Sequence, residues 1–362
     1  MIRVTPRAYP VLIEASLLAR IGPAVKRVVG ARRCFVVTVP PVLRLWGRRL
    51  SASLQRAKLP HVFLSMADGE ASKTLATVEG LARLMARNGA DRGAVVIAFG
   101  GGVAGDVAGF LASVYMRGVD CVQVPTTLLA QVDAAIGGKT GVNLPAGKNL
   151  LGSFHQPRAV FVDPAVLRTL PPREHRAGLY EALKCGVIRN PRIFALIEKE
   201  RKRLLRRDPR ALAWLIAECI RVKAVVVTAD ERERGLRRTL NFGHTIGHAL
   251  EAETGYRQFL HGEAVAWGMV AATLIAERLG KIRSADAQRI VSAVLALGPL
   301  PPIEAGAAGI QRRIASDKKT RNGVTHFVLP RAIGKVEIVP DVPLRLVREA
   351  VERVRALSRS RA

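Results

Sequence analysis

Three of the seven histidines in this 362-residue chain stand in one short block rich in glycine and polar residues. His244 and His248 are four residues apart and therefore share one face of a helix, and His261 follows after a short loop. Neutral imidazole nitrogens are good ligands for zinc and similar ions. Three histidines this close, flanked by an asparagine and two glutamates, favour a divalent-metal site over histidines that merely pack or cap.

Two further groups of ionisable residues are candidates for the same chemistry. Glu181 and Lys184 lie three apart on a predicted helix. One interpretation is a surface ion pair that contributes little to stability. The other is that the Glu181 carboxylate completes the histidine site, with the Lys184 ammonium beside it. The spacing is compatible with both interpretations. Lys223, Glu233 and Arg237 precede the histidine block and could reach the same cleft.

A glycine-rich turn joins a predicted strand to a predicted helix at Gly100, Gly102 and Gly105. Glycines in this position let backbone N–H groups approach a pyrophosphate at the start of the helix. The usual dinucleotide fingerprint also has an acidic residue at the end of the next strand, where this chain has Pro125. The pattern predicts a nucleotide-binding loop of a non-standard kind, with a purely structural turn as the alternative.

Thr126 and Thr127 directly follow the predicted strand over residues 119–124 and Pro125. Ligands of open α/β sheets bind at the carboxyl ends of strands, so these hydroxyls suit ribose or phosphate. Capping of the next helix is the alternative.

Residues 133–149 form a predicted glycine-rich loop with regularly spaced polar side chains. The loop lacks the glycine and lysine spacing of a P-loop. Lysines on such a loop suit a phosphate or a carboxylate. The candidates here are Asp133, Lys139, Lys148 and Asn149.

The elements that must position these residues alternate between strand and helix in the first half of the chain. We expect strands over residues 33–38, 94–99 and 119–124, and helices over residues 75–87 and 107–115. This rhythm is typical of a mainly parallel sheet with helices on both faces.

The second half of the chain is predicted to be mainly helical. Residues 160–164 and the two prolines at 171–172 are interpreted as a hinge. We therefore predict a Rossmann-like α/β domain over residues 1–170 and a mainly α-helical domain over residues 171–362. The predicted helices span residues 173–188, 191–206, 209–228, 245–254, 263–279 and 285–297, with a last basic helix from residue 344.

The net charge of +28 is the unusual feature of the composition. The arginines are spread along the chain, aromatic residues make up only 5% and do not interleave with the basic runs, and no nucleic-acid-binding motif is present. We expect a solvated basic surface, no specific nucleic-acid partner, and a positive field that attracts a small anionic substrate.

The sequence favours a soluble protein of a reducing compartment. No apolar run is long enough for a membrane span, and the N-terminus lacks the pattern of a signal peptide. The four cysteines are scattered, which indicates free thiols rather than disulfides. We therefore expect a cytoplasmic location and no membrane partner.

Taken together, the motifs resemble the 3-dehydroquinate synthase family of the sugar phosphate cyclase superfamily. The resemblance implies the fold of that family, a tightly bound NAD, zinc or cobalt, and a homodimer. It also implies the conversion of 3-deoxy-D-arabino-heptulosonate 7-phosphate to 3-dehydroquinate and phosphate in the shikimate pathway. The matching blocks run in order over residues 100–110, 115–118, 123–157, 178–188, 233–251, 261–269 and 317–329.

The resemblance also implies roles for individual residues. The metal ligands would be Glu181, His244 and His261, and His248 would be a catalytic histidine, so the pair four residues apart would not bind the metal jointly. Glu233, Lys139 and Lys184 would join His248 in catalysis. The substrate contacts would be Arg117, Asp133, Lys139, Asn149, Lys223, Arg237, Asn241 and one of Lys318 and Lys319. The NAD contacts would be Glu70, Lys73, Gly101, Gly102, Val103, Asp106, Thr126, Thr127, Lys148, Leu167, Arg168 and Thr169.

The chain departs from the family pattern at the second strand. Where the family often has an aspartate or asparagine that holds the adenosine ribose, this chain has Val39 followed by Pro40. Ala135 and Cys185 replace a common serine and a common aromatic residue. None of these positions is a metal ligand.

Other functions fit the sequence less well. The valiolone-forming cyclases typically lack the histidine found here at His248, and the deoxy-inosose branch typically has asparagine where this chain has Asp106. An amino-dehydroquinate synthase and a metal-dependent polyol dehydrogenase of the same fold are the remaining enzymatic alternatives. A metalloprotease is disfavoured because the histidine pair lacks the adjacent glutamate of that motif. A non-enzymatic nucleic-acid-binding protein would rest on charge alone.

Overall fold

A computed structural model describes residues 2–4, 8–315 and 325–360 of the chain. The chain forms two compact units. The first comprises Met1–Pro171 and Pro209–Glu231, and the second comprises Pro172–Asp208 and Arg232–Ala362. The division is therefore discontinuous, whereas the sequence predicted one boundary at residues 170–171. The reason is that the helix beginning at Pro209 packs against elements of the first unit.

The first unit is built on a seven-stranded sheet of order β1-β2-β9-β6-β5-β3-β4. Six strands are parallel to one another, and only edge strand β1 pairs antiparallel, with β2. A separate antiparallel hairpin is formed by β7 and β8. The strands are β1 (Ile2–Val4), β2 (Tyr9–Ile13), β3 (Cys34–Thr38), β4 (His61–Ser65), β5 (Val95–Gly100), β6 (Asp120–Pro125), β7 (Lys139–Leu144), β8 (Gly147–Phe154) and β9 (Ala159–Val162).

Helices cover both faces of this sheet, as the sequence predicted. Neighbouring residues of β3 belong to opposite clusters, with Val36 in one and Val37 in the other, and both are fully buried. A sheet buried on both faces needs continuous apolar strands, which is what the parallel strands show. The helices are α1 (Ile21–Val29), α2 (Pro40–Val42), α3 (Arg48–Arg56), α4 (Leu75–Arg87) and α5 (Gly102–Val114), with short 3-10 helices at Leu17–Arg20, Glu70–Ser72, Tyr115–Arg117 and Pro164–Thr169 and π-helical turns at Leu43–Gly47 and Ala130–Ala134.

The second unit is mainly helical and ends with a two-stranded hairpin and a last helix. The chain enters it with α6 (Pro172–Ile188) and α7 (Pro191–Leu205) and returns to the first unit with α8 (Pro209–Ala229). It then continues through a 3-10 helix (Leu236–Asn241), α9 (His244–Glu253), α10 (His261–Arg278), α11 (Ser284–Ala296), α12 (Ala307–Ala315), β10 (His326–Ala332), β11 (Lys335–Pro340) and α13 (Leu344–Arg359). An α/β unit and a mainly helical unit are the fold class that the sequence predicted.

Two local predictions were wrong. Residues 160–163 were interpreted as part of a hinge, yet β9 is an interior strand paired with β2 and β6, because its four residues are apolar and fully or nearly fully buried. Residues 133–149 were interpreted as a loop, yet most of them form the β7–β8 hairpin. Glycine is needed there for close approach, since a Cβ atom on Gly141 would lie 2.5 Å from the Leu151 carbonyl oxygen.

Two general expectations can be compared with the described part of the chain. None of its helices combines the length and apolar character that a membrane span requires. All four cysteines are buried free thiols. Burial raises the pKa of the Cys34 thiol to about 11 and that of the Cys121 thiol to about 12, so both are protonated and unreactive at neutral pH.

Candidate functional site

Three helices of the second unit approach one another closely at the histidine block. A Cβ atom on Gly268 of α10 would lie 1.9 Å from the carbonyl oxygen of Gly243, which precedes α9. A Cβ atom on Gly262 would lie 2.1 Å from the carbonyl oxygen of Ala177 on α6. Only glycine permits these backbone contacts, which bring the start of α9 against α10 and the start of α10 against α6.

This packing gathers the two predicted histidine ligands around one carboxylate. His244 is the first residue of α9, His261 is the first residue of α10, and Glu181 lies on α6. The Nε2 atoms of His244 and His261 each lie 3.9 Å from Oε1 of Glu181. Imidazole nitrogens and a carboxylate oxygen that converge in this way form the donor set of a three-ligand zinc site.

Hydrogen bonds on the far side of both rings direct their Nε2 atoms toward Glu181. Nδ1 of His244 donates to the Phe242 carbonyl at 3.2 Å, and Nδ1 of His261 donates to Oε2 of Glu251 at 3.2 Å. A proton on Nδ1 leaves the Nε2 lone pair available to a metal, as in carboxylate–histidine–metal arrangements.

Glu181 itself fits a metal ligand better than a surface ion pair. Its side chain and that of Lys184 are each only 1% exposed, and Lys184 Nζ lies 2.5 Å from Oε2 of Glu181. Among the described residues, neither carboxylate oxygen of Glu181 accepts a hydrogen bond of regular geometry. A buried carboxylate of this kind is costly unless a cation satisfies it, and Lys184 faces only one of its oxygens. The residues present therefore fit a divalent metal.

His248 lies one turn after His244 on α9 and faces the same cluster. Its ring centroid is 5.3 Å from that of His244 and 5.7 Å from that of His261. One ligand atom from each of the three histidines lies within 4.8 Å of the others, so geometry alone also permits a three-histidine site. Contacts with Glu181 are what set His244 and His261 apart.

Glu251 is one of the two glutamates that flank the histidine block, and its carboxylate orients His261, a predicted ligand. We expect Glu251→Gln to weaken metal binding by about 10- to 100-fold, because a neutral amide holds the Nδ1 proton of His261 less firmly and leaves Nε2 less basic. Competition titration with a chromogenic chelator measures the change.

Glu253→Gln is the matched control for this substitution. Glu253 ends the same helix and pairs with Arg313 at 3.0 Å, so its replacement should leave metal affinity unchanged. Equal metal affinity in both variants would contradict a role for Glu251 at the metal site.

Other predicted residues of the second unit lie in the segment before α9. Asn241 Nδ2 donates to Oε1 of Glu233 at 2.5 Å, and the backbone of Glu233 has a left-handed φ of 56°. Arg237 is only 1% exposed. Thus Asn241, a predicted substrate contact, donates a hydrogen bond to Glu233, a predicted proton-transfer residue. Lys318 and Lys319 lie outside the described residues.

In the first unit, the glycine turn has the form expected of a nucleotide-binding loop. It ends β5, and Gly101 is the N-cap of α5. A Cβ atom on Gly101 would lie 3.0 Å from Cγ2 of Thr127, and one on Gly105 would lie 3.1 Å from Oε1 of Gln123. The turn therefore brings a helix N-terminus and its backbone N–H groups to the carboxyl end of the sheet.

Several predicted NAD contacts surround a buried lysine. Lys73, which is 4% exposed, places Nζ 2.5 Å from both Oδ2 of Asp106 and Oδ1 of Asn149. Lys148 Nζ lies 3.7 Å from Oε1 of Glu70. The structure thus brings four predicted cofactor residues together with Asn149, which was predicted to contact substrate.

The remaining predicted NAD contacts follow β6 and β9. Thr126 is 6% exposed, and its Oγ1 has no hydrogen-bond partner among the described residues, whereas Thr127 Oγ1 accepts from the Ala130 N–H at 3.2 Å. Leu167, Arg168 and Thr169 lie in the 3-10 helix after β9. An unsatisfied hydroxyl at a strand end next to a glycine turn fits a bound dinucleotide.

Two of the predicted substrate contacts of the first unit, Lys223 and Asp133, contact each other directly. Lys223 on α8 places Nζ 2.8 Å from Oδ1 of Asp133. Lys139 is exposed at the start of β7, and Arg117 is exposed with a left-handed φ of 67°. These two exposed cations face solvent, where an anion can reach them.

The α/β unit with its glycine turn and the helical unit with its glutamate–histidine set define the class of sugar phosphate cyclase-like proteins. Profiles of the 3-dehydroquinate synthase N-terminal and C-terminal domains match residues 63–177 and 178–320. The chain belongs to the 3-dehydroquinate synthase family.

Individual relatives match nearly the full length of the chain. A 3-dehydroquinate synthase from Koribacter versatilis is 55% identical over 99% of this chain and 98% of its own. Among solved structures, 2-epi-5-epi-valiolone synthase from Streptomyces hygroscopicus subsp. jinggangensis 5008, with NAD+ and Zn2+ bound, is 31% identical, with a TM-score of 0.89 over 99% of both chains. A 2-deoxy-scyllo-inosose synthase with carbaglucose-6-phosphate, NAD+ and Co2+ is 27% identical over 98% of this chain and 99% of its own, with a TM-score of 0.88.

Proposed function

We propose that this protein is a 3-dehydroquinate synthase that converts 3-deoxy-D-arabino-heptulosonate 7-phosphate to 3-dehydroquinate and phosphate. The observation that carries the proposal is the convergence of His244 and His261 on the buried carboxylate of Glu181. Family membership and the full-length relative from Koribacter versatilis support the same activity.

The metal-binding residues in this proposal are Glu181, His244 and His261. Zinc or cobalt held by these residues would supply a Lewis acid for the substrate hydroxyl that is oxidised, and bound NAD would supply a reversible hydride acceptor. Lys184 lies beside Glu181, with its Nζ 2.5 Å from Oε2 of that carboxylate. His248 is left to transfer protons next to the metal site, and Glu233 serves as a second proton-transfer group held by Asn241.

The substrate carries a phosphate and a carboxylate, and the candidate contacts include cations suited to both. In the first unit these are Lys139, Lys223 and Arg117, with Asp133 and Asn149 as polar contacts. The other candidate cations are Arg237 and one of Lys318 and Lys319. The net charge of +28 strengthens the attraction of a small anion over long range.

NAD would be held by the glycine turn, by the Glu70–Lys73–Asp106–Lys148 group, and by the segments after β6 and β9. Val39 stands beside this turn, since Thr38 pairs with Phe99 in the β3–β5 register. At this position the adenosine ribose would meet Val39 in place of the acidic residue common in dinucleotide sites. We further propose that the protein is a cytoplasmic homodimer.

The assay that tests this function follows phosphate release and identifies the product. We expect release from the heptulosonate phosphate with substoichiometric NAD and with zinc or cobalt, and we expect a chelator to abolish it. NAD should not be consumed, because the hydride returns to the substrate.

Two results would overturn the proposal. One is phosphate release that does not depend on metal, and the other is a product that is not 3-dehydroquinate. Amino-dehydroquinate formation from an amino substrate, with no turnover of the heptulosonate, would assign the chain to the sister reaction.

A further inference from the structure

A fully buried amide, Gln131, lies between the two strand ends that carry predicted NAD contacts. Its side chain is 0% exposed in the π-helical turn Ala130–Ala134. Nε2 donates to the Pro125 carbonyl at 3.1 Å and to the Asp163 carbonyl at 3.1 Å. Pro125 is the last residue of β6, and Asp163 directly follows β9.

The amide replaces backbone hydrogen bonds that the sheet does not make there. The β6–β9 register contains only the pairs Val122–Ala159 and Gln123–Val160, although the strands continue to Pro125 and Val162. Pro125 has no N–H to donate, so the ladder cannot extend through it. The two hydrogens of Nε2 therefore satisfy carbonyl groups that would otherwise be buried without partners.

The chemistry of the partners fixes the orientation of this amide. Both neighbours are carbonyl oxygens, which only accept, so the NH2 group must face them. Oε1 is buried and has no hydrogen-bond partner among the described residues. Gln131 thus donates both Nε2 hydrogens to the two strand ends, while its own acceptor oxygen has no hydrogen-bond partner among the described residues. A buried acceptor without a partner is unfavourable, so packing alone does not explain a glutamine at this position.

What Gln131 holds in place is the cofactor region. Thr126 and Thr127 follow the first strand end, and Leu167–Thr169 follow the second. Asp163 is also fixed by its carboxylate, which accepts from the N–H groups of Ser16, Leu18 and Ala165 at 2.9 to 3.0 Å.

We propose that Gln131 is a positioning residue that sets the spacing of the two NAD-binding segments at the ends of β6 and β9. The inference rests on the proposed function, since it requires those segments to contact NAD. Because Gln131 has no exposed surface, it acts through the two carbonyl groups and not through the cofactor itself.

Calorimetric titration of the metal-loaded protein with NAD, without substrate, tests this role. Gln131→Met keeps the side-chain length and removes both donors, and we expect NAD to bind about tenfold more weakly because two buried carbonyls lose their partners. Bound metal should stay at the wild-type ratio. Failure of the wild type to bind NAD would count against the proposed function, whereas equal binding by the wild type and Gln131→Met would overturn the positioning role.

Gln131→Glu gives a second readout that loss of packing alone cannot produce. A protonated carboxyl can donate one hydrogen bond, whereas an ionised carboxylate repels both carbonyl oxygens. Because position 131 is fully buried, desolvation raises the pKa of a carboxyl there well above the ordinary glutamate value. NAD affinity relative to wild type should therefore recover between about pH 8 and about pH 5.5, while that of Gln131→Met stays flat. A ratio that does not change with pH in Gln131→Glu would contradict the proposal even if Gln131→Met does not fold.

Ser53→Ala is the matched control. Ser53 is 1% exposed in the same unit, and its Oγ accepts from the Gly22 N–H at 2.9 Å between α3 and α1, which carry none of the predicted NAD contacts. We expect this variant to lower Tm and to bind NAD as the wild type does. An equal loss of NAD affinity in Ser53→Ala and Gln131→Met would show a general effect of destabilisation and overturn the inference.

Discussion

We expect the replacement of His244 by alanine to abolish metal binding and, with it, phosphate release. His244 and His261 present Nε2 to Glu181 at equal distances of 3.9 Å, so His244 supplies one of only three proposed protein ligands. Loss of a residue that merely orients a ligand costs about 10- to 100-fold in metal affinity, and loss of a ligand should cost more. Metal content by mass spectrometry after dialysis, measured together with phosphate release, gives the result.

His175→Ala is the control for this substitution. His175 is also a buried histidine of the second unit, and its Nε2 contacts the Leu204 carbonyl at 2.9 Å, away from Glu181. Desolvation by burial lowers the pKa of His175, so this side chain is neutral at pH 7. Its replacement by alanine therefore does not change the charge of the protein. We expect lower stability and unchanged metal content. One tightly held metal ion in His244→Ala would refute the proposed ligand set.

How much of the metal site could be predicted from the sequence depends on where its residues lie in the chain. His244, His248 and His261 are local, so their spacing predicted both the shared helix face and a metal site. Glu181 lies far earlier in the chain, and its spacing from Lys184 left a surface ion pair equally open. Only the close packing permitted by glycines at the starts of α9 and α10 brings that carboxylate to the histidines.

The same difference between local patterns and contacts of distant segments decides which parts of the fold could be predicted. Strands β3, β5 and β6 and helix α4 were predicted because their hydrophobic periodicity is local. The β7–β8 hairpin was interpreted as a loop because the sequence does not distinguish two roles of glycine. A glycine that lets two strands approach closely looks the same in sequence as a glycine that allows a loop to bend. The return of α8 to the first unit, and the two carbonyls that Gln131 joins, depend on contacts between distant segments and leave no local pattern.

Alanine at His248 should separate catalysis from metal binding. We expect His248→Ala to retain metal at the wild-type ratio while kcat falls by about 100- to 10,000-fold, as for loss of a general acid–base group. The argument is geometric, because His248 lies one helical turn from His244 with ring centroids 5.3 Å apart, close enough to act on a group at the metal yet not needed to complete the Glu181 set.

The decisive comparison is between His248→Ala and His244→Ala with and without added metal. Excess zinc should restore part of the rate of His244→Ala, because mass action can refill a weakened site. The same zinc should leave the rate of His248→Ala unchanged, because its site is already full and what it lacks is a proton-transfer group. Loss of metal from His248→Ala, together with recovery of its rate in zinc, would make His248 a ligand and favour the three-histidine site that the ring geometry also allows.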